Sequence, residues 1–347
     1  MTRGGDNEVT GRRPQVHLLI ATHTTRHLDT CLASLSILAP LPDTVTVTCD
    51  VSSSEIEHLL DRVWTRVCAS LSRSDRHPPR LFHVSRPHQG RARLNQVRNN
   101  GVRAILSHGG RTEDLLLVID GDTTLAPDAI ESYQRHLDHK ADVVVPYRIN
   151  LSEDATGFLT ADFFLNSPQD AAARLTPNRD QAASLEARDA RYRRQLWQKR
   201  WMPLIGKRHK PKILGGHHAV RLGPLIEING YDEEYTGYGY DDDDLARRLH
   251  QRGGLRWAIA VASIPAFHLW HPTRAPASPT RAEGYTRFTR RDLPVRAVRG
   301  IENPIDQPLP RTRQVAGLEP AVSHEPPTRS TGTAPDPATP TEEPNSA

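Results

Sequence analysis

Cysteine is scarce in this chain of 347 residues: Cys31, Cys49 and Cys68 are the full complement, and their spacing is neither paired nor of a metal-binding type. This excludes a disulfide framework and points to a reducing compartment. Long apolar runs are missing as well. No stretch is long enough to cross a membrane, and the N-terminal MTRGGDNEVTGRRPQ lacks the apolar core of a secretory signal. The expectation is a cytoplasmic protein that does not span a membrane. Concentrated charge of one sign is absent too. The 45 Lys and Arg against 41 Asp and Glu leave a net charge of +4, spread along the chain rather than gathered in one basic block. That balance suits an anionic small ligand as well as nucleic acid. Nucleic acid is disfavoured because the chain has no recognition motif and no aromatic-basic stripe.

What is present is a regular alternation. Apolar runs occur at VHLLIA from Val16, VTVTC at 45–49, LFHV at 81–84, LLLVI at 115–119 and VVVP at 143–146. Between them lie helical patterns around Leu28–Leu38, Glu55–Cys68, Leu94–Leu106 and Pro127–His139, with Pro127 expected at the first helical position. Short apolar strands alternating with amphipathic helices predict an α/β fold with a mostly parallel sheet covered on both faces. Residues 1–14 read as a flexible tail, 15–275 as one domain, and 276–347 as a proline-rich, largely disordered tail. Within the domain, 151–212 interrupts the alternation and reads as an insertion, with a charged helix over 181–199. That helix is either a solvated surface element or a lid facing the acceptor of a reaction.

Asp120-Gly121-Asp122 stands where the buried run LLLVI ends. Ligands of open α/β sheets collect beyond the C-terminal ends of the strands. Two carboxylates around a glycine can converge there on a hard cation, and the glycine lets a phosphate approach the backbone. The simpler reading is a turn that caps the next helix.

VIDGDTTLAPDAI resembles the D-x-D region of GT-A nucleotide-sugar glycosyltransferases, particularly those of the family 2 type. Three other pieces fall in that family's order. VHLLIATHTTRHLDTCLASL resembles the opening strand, loop and helix that approach the nucleotide, with Thr22 in the loop. VTVTCDVSSS resembles the second strand, ending in Asp50 for the base, and GRARLNQVRNNGVRAI places Arg98 and Asn99 at an Arg-Asn motif. The resemblance implies donor contacts from Thr22, Asp50, Arg98, Asn99, Asp120, Gly121 and Gly216. It implies a UDP-linked sugar donor, a glycan or small-molecule acceptor, and Mn²⁺ or Mg²⁺ as cofactor.

A second carboxylate group lies in ILGGHHAVRLGPLIEINGYDEEYTGYGYDDDDLARRLHQRGG. A helix N-terminus favours negative charge, which accounts for one or two aspartates. Four in a row, Asp241 to Asp244, need more, because neighbouring carboxylates raise one another's pKa. The segment resembles that of β-1,4-galactosyltransferases and related family 2 enzymes, with Tyr238 in place of the usual Trp and Asp241 in place of the usual Glu. The resemblance puts a general base at Asp242. Asp241, Asp243 and Tyr238 would then contact the acceptor, and Asp244 would buttress the helix start. The neighbouring His217 and His218 are expected as donor-sugar or acceptor contacts. Farther on, AFHLWHP offers His268 and His271. Spacing alone fits a surface pair around Trp270, whereas the resemblance makes His271, with His268, a metal ligand beside Asp122. Together these readings predict a metal-dependent, inverting glycosyltransferase. The alternatives are a non-catalytic nucleotide-sugar or carbohydrate-binding protein of the same fold, and a nucleotidyltransferase. IATHTTRH lacks the glycine-rich loop that the last would want.

Overall fold

The computed structural model describes residues 12–51, 54–86, 93–201, 210–237, 239–272, 282–290, 292–305 and 310–317. The first half alternates as the sequence predicts: β1 (Val16–Ala21), α1 (Leu28–Ala33) running into a short 3₁₀ turn, β2 (Thr44–Cys49), α2 (Ser54–Ser72), β3 (Arg80–Ser85), α3 (Leu94–Ser107) and β4 (Leu115–Asp120). Every residue of β1 and β2 is buried, so both faces of the sheet are covered there, which is why these strands read as continuous apolar runs. Helix α2 turns Ile56, Leu60, Val63, Trp64, Val67 and Leu71 inward, a stripe at helical spacing.

β5 (Thr123–Leu125), α4 (Ala129–Asp138), β6 (Val143–Val145) and β7 (Tyr147–Asn150) follow. Helix α4 starts two residues later than expected, with Asp128 as its cap residue, so Pro127 lies before the helix rather than at its first position. The insertion is helical: α5 (Glu153–Phe158), α6 (Ala161–Asn166), α7 (Pro168–Arg174) and α8 (Arg179–Trp201). Charged α8 is docked, not solvated all round. Leu185, Asp189 and Tyr192 form its buried stripe, and Arg193 donates to the Ile259 carbonyl.

The chain then forms β8 (His217–Arg221), α9 (Leu222–Glu227), α10 (Asp241–Arg252), β9 (Trp257–Ile259), β10 (Pro265–His268), α11 (Tyr285–Phe288) and β11 (Arg311–Val315). The main sheet has the order β11-β3-β2-β1-β4-β8-β6-β9. Its centre, β3 to β4, is parallel, while β8 runs antiparallel between β4 and β6. A second sheet, β5-β10-β7, stands beside it and brings His268 opposite Thr123.

The expectation of a largely disordered segment after residue 275 fails over two stretches. Residues 282–290 and 292–305 pack against residues 229–237 and 239–240, and β11 adds an antiparallel edge strand to β3. Only Val315 of β11 is buried, so the strand carries almost no apolar signal. It is held instead by backbone pairing and by Arg313, which bonds Asp61. Of the tails expected at 1–14 and 276–347, residues 1–11 and 318–347 lie outside the described residues.

Candidate active site

Strand β4 delivers Asp120 at its end and Asp122 in the turn to β5. Gly121 is needed for a packing reason: a Cβ there would come 2.9 Å from the Thr22 side chain. Thr22 itself is buried, its hydroxyl donating 2.7 Å to the Thr24 carbonyl and so shaping the loop after β1.

Asp122 meets the histidines of β10 and the residues beyond it. Its Oδ1 lies 3.4 Å from His268 Nε2 and its Oδ2 3.1 Å from His271 Nε2. All three side chains are half-buried, and their ligand atoms lie within 4.8 Å of one another. His271 Nδ1 is 3.1 Å from the Pro272 carbonyl. Since a carbonyl only accepts, Nδ1 donates there, and Nε2 is the ring nitrogen turned toward Asp122, the one a metal ligand would offer. The two histidines are thus not a surface pair around Trp270 but converge with Asp122. Burial acts to raise the Asp122 carboxyl, but the hydrogen bond and charge of His268, with Arg148 and His271, hold it below the usual carboxylate range.

Asp120 faces the other way, into arginines. Arg148 donates 3.1 Å to its Oδ2, and Arg98 lies 4.0 Å from its Oδ1. Burial nevertheless pushes Asp120 upward, and nearby Asp122 adds to the rise. Gly216 packs on this pair so tightly that a Cβ would run into both the Arg148 guanidinium and the Asp120 carboxylate.

Arg98 links the two carboxylate groups. It is 1% exposed, donates 2.7 Å to Asp241 and 2.9 Å to the Gly215 carbonyl, and so ties β4 to the start of α10. The Gly215 N–H in turn donates 3.0 Å to Asp242. Burial, followed by the charges of Asp241 and Asp243, pushes the Asp242 carboxyl up to about 6.

The aspartate run thus divides. Asp241 and Asp242 look toward Arg98 and Gly215. Asp243 is buried, pairs with Lys212 at 3.2 Å, and has its other oxygen shut off from solvent, so it is placed to hold α10 rather than to meet an acceptor. Asp244 is wholly buried between Arg247 and Arg248. Arg248 carries the connection on to the carbonyls of Ile228 and Gly230.

Several expected ligand contacts are instead internal struts. Asn99 is fully buried, donating to Tyr231 O and Glu233 and accepting from the Tyr231 N–H. Asp50 is buried and accepts from the Arg93 N–H at the start of α3. His217 and His218 are buried, and both ring nitrogens of each are taken up by protein partners. His217 bonds the Tyr147 carbonyl and the Tyr133 hydroxyl, His218 the Leu214 carbonyl and the Tyr231 hydroxyl. Burial drops their pKa values to about 4 and about 3, so both rings are neutral. Tyr238 lies outside the described residues. Sequence reasoning missed Arg148, Lys212 and buried Glu233. Only Glu233 had a signal, as an acidic neighbour within GYDEEY.

Residues 203–268 match a family model described as the N-terminal domain of galactosyltransferase. The matched segment includes β8, α9, α10 and β10, hence the aspartate run and His268. No curated protein matches the chain. Among solved structures, GalNAc-T7 with UDP, GalNAc and Mn²⁺ is similar at 14% identity and TM-score 0.45, covering 80% of this chain and 47% of that one. The chain therefore spans about half the length of GalNAc-T7. Glucosyl-3-phosphoglycerate synthase from Mycobacterium tuberculosis, in complex with phosphoglyceric acid, is similar at 11% identity and TM-score 0.36 over 76% of this chain and 73% of that one. A mycobacterial protein is similar at 13% and 0.37, over 75% and 68%. At the level of sequence, the match to the galactosyltransferase model lies in the segment bearing α10 and β10.

Proposed function

We propose that this chain is a metal-dependent, inverting glycosyltransferase that moves a sugar from a nucleoside-diphosphate donor, UDP-linked, to an acceptor hydroxyl. The observation that supports it most is one continuous linkage. The Asp122, His268 and His271 cluster adjoins Asp120, which Arg98 and Gly215 connect to Asp242, a carboxyl poised near neutrality. The galactosyltransferase-type match over 203–268 supports the same reading.

The cluster fits a divalent cation. Adjacent ligands on an ion held at about 2.1 Å stand about 3 Å apart, close to the 3.1 and 3.4 Å separations around Asp122. Two imidazoles with one carboxylate suit Mn²⁺ better than Mg²⁺. When bound, such an ion would neutralise charge developing on the leaving diphosphate. In the proposed reaction Asp242 accepts the proton of the acceptor hydroxyl. The new oxygen–carbon bond forms at the anomeric carbon as the sugar–phosphate bond breaks on the opposite face, and UDP departs with the electron pair. Arg98, Asp241 and Asn99 hold the geometry. Asp50 and Thr22 set the floor of the nucleotide side by fixing the start of α3 and the loop after β1.

The test is UDP release from a panel of UDP-sugars with Mn²⁺ and mixed hydroxyl acceptors, with product anomers read by NMR. Acceptor-dependent release with inverted product is expected. Donor binding with no turnover on any acceptor would indicate a binding protein instead.

A further inference from the structure

The first turn of α10 starts from an unfavourable backbone. Tyr240, immediately before Asp241, has φ 67° and ψ −3°, a left-handed conformation that a bulky residue adopts only where its surroundings enforce it. No side chain caps the helix there. The Tyr240 carbonyl accepts the first helical hydrogen bond, from the Asp244 N–H at 2.9 Å. The torsions of Tyr240 therefore set the direction in which Asp241 and Asp242 leave.

What enforces them comes from α11. The Tyr240 ring stacks on Phe288 with centroids 5.1 Å apart and a 28° tilt, and meets Tyr285 at 5.5 Å. The α11 segment is itself pinned on both sides of these rings. Arg287 donates to Asp232 at 2.9 and 2.7 Å and to Glu234 at 2.6 Å, with its guanidinium over the Tyr235 ring. On the other side, the backbones of Gly239 and Gly284 approach so closely that a Cβ on Gly284 would run into the Gly239 carbonyl. Ala282 closes the remaining side of Gly239.

We propose that Tyr285 and Phe288 are positioning residues for the proposed transfer: their rings clamp Tyr240 in its left-handed conformation and so aim Asp242 at the acceptor. The inference rests on Asp242 being the general base. The clamp bears directly on the first turn of α10, whereas Asp122 and His268 stand at the small β5-β10-β7 sheet.

Phe288→Ala should lower kcat by about tenfold or more, since a displacement on the order of 1 Å at a reacting group can cost about a hundredfold. The donor KM and Mn²⁺ dependence should stay as in wild type, and Phe288→Tyr, which keeps the ring, should restore turnover. Hydrogen exchange supplies a readout that needs no substrate. The Asp244 amide should exchange about tenfold faster in Phe288→Ala, while the amides of β4 keep their protection. If no UDP-sugar is turned over by the wild type, the functional reading fails and exchange alone decides the clamp. Unchanged Asp244 exchange, or unchanged kcat in an active enzyme, overturns the proposal. So does a parallel loss of donor affinity, which is what general destabilisation would give.

Discussion

Strand β4 has an aspartate at each end, and the two are held differently. Asp114, just before the strand, is fully buried and accepts from the backbone N–H groups of Gln15 and Arg111, each at 2.8 Å, with His17 at 3.3 Å. Burial acts to raise it, yet His17 and those N–H donors outweigh burial and hold its carboxyl near 2. Among the described residues, Asp120 and Asp122, at the other end, are met by side chains: two arginines, two histidines and the Thr123 hydroxyl. Backbone donors cannot be withdrawn without unfolding the strand, whereas side-chain partners can exchange for a ligand. One end of the sheet is foundation; the other is available for chemistry.

The largest effect expected is at the chemical end. Asp242→Asn keeps the shape and the Gly215 contact but removes the proposed base. It should lower kcat by ~10²–10⁴-fold with donor affinity and melting temperature near wild type. Asp244 sharpens the comparison, because it belongs to the same aspartate run and is as deeply buried as Asp114, yet its partners are the Arg247 and Arg248 side chains. Asp244→Ala strands two buried arginines and should cost about 3–5 kcal/mol of stability in denaturant titration. A well-folded Asp244→Ala variant with lost turnover would break the distinction.

Asp114 itself gives a smaller, pH-dependent effect. Its folded pKa, about 2, lies below the ordinary value of 3.8, so its contribution is present above pH ~4 and lost as pH falls through ~2. By linkage this is worth about 2 kcal/mol, so an Asp114→Asn variant should lose its advantage at neutral pH and unfold in acid with a shallower pH slope. Smallest is the shift in the activity profile. Asp242, raised to about 6, must be deprotonated to act, so kcat/KM should rise with pH through about 6 and then level. The same limb in Asp242→Asn would assign it to another group.

How much of this was legible follows from where each interaction's partner sits. The runs VHLLIA, VTVTC and LLLVI declare buried parallel strands because both of their faces need apolar side chains. The D-x-D turn stands out by its place after such a run, and the His268–His271 pair through its order in the resemblance, since its spacing alone reads as a surface pair. β11 was hidden because Arg311, Thr312, Arg313 and Gln314 look like any polar tail, and only pairing with β3 makes them a strand. His217 and His218 were misread for a related reason. Two histidines beside two glycines suggest a ligand, but Tyr133 and Tyr231, which take up their rings, come from other elements. Arg148, reaching Asp120 from β7, left no local trace either.

The central claim is that Asp122, His268 and His271 hold a cation on which nucleotide affinity depends. Calorimetric titration of UDP into the wild type and into Asp122→Ala, each with Mn²⁺ and with EDTA, tests it most directly. Wild type should bind UDP tightly with Mn²⁺ and weakly in EDTA. Asp122→Ala should bind weakly in both while keeping the wild-type melting transition. Equal UDP affinity for the wild type in Mn²⁺ and in EDTA would contradict the account.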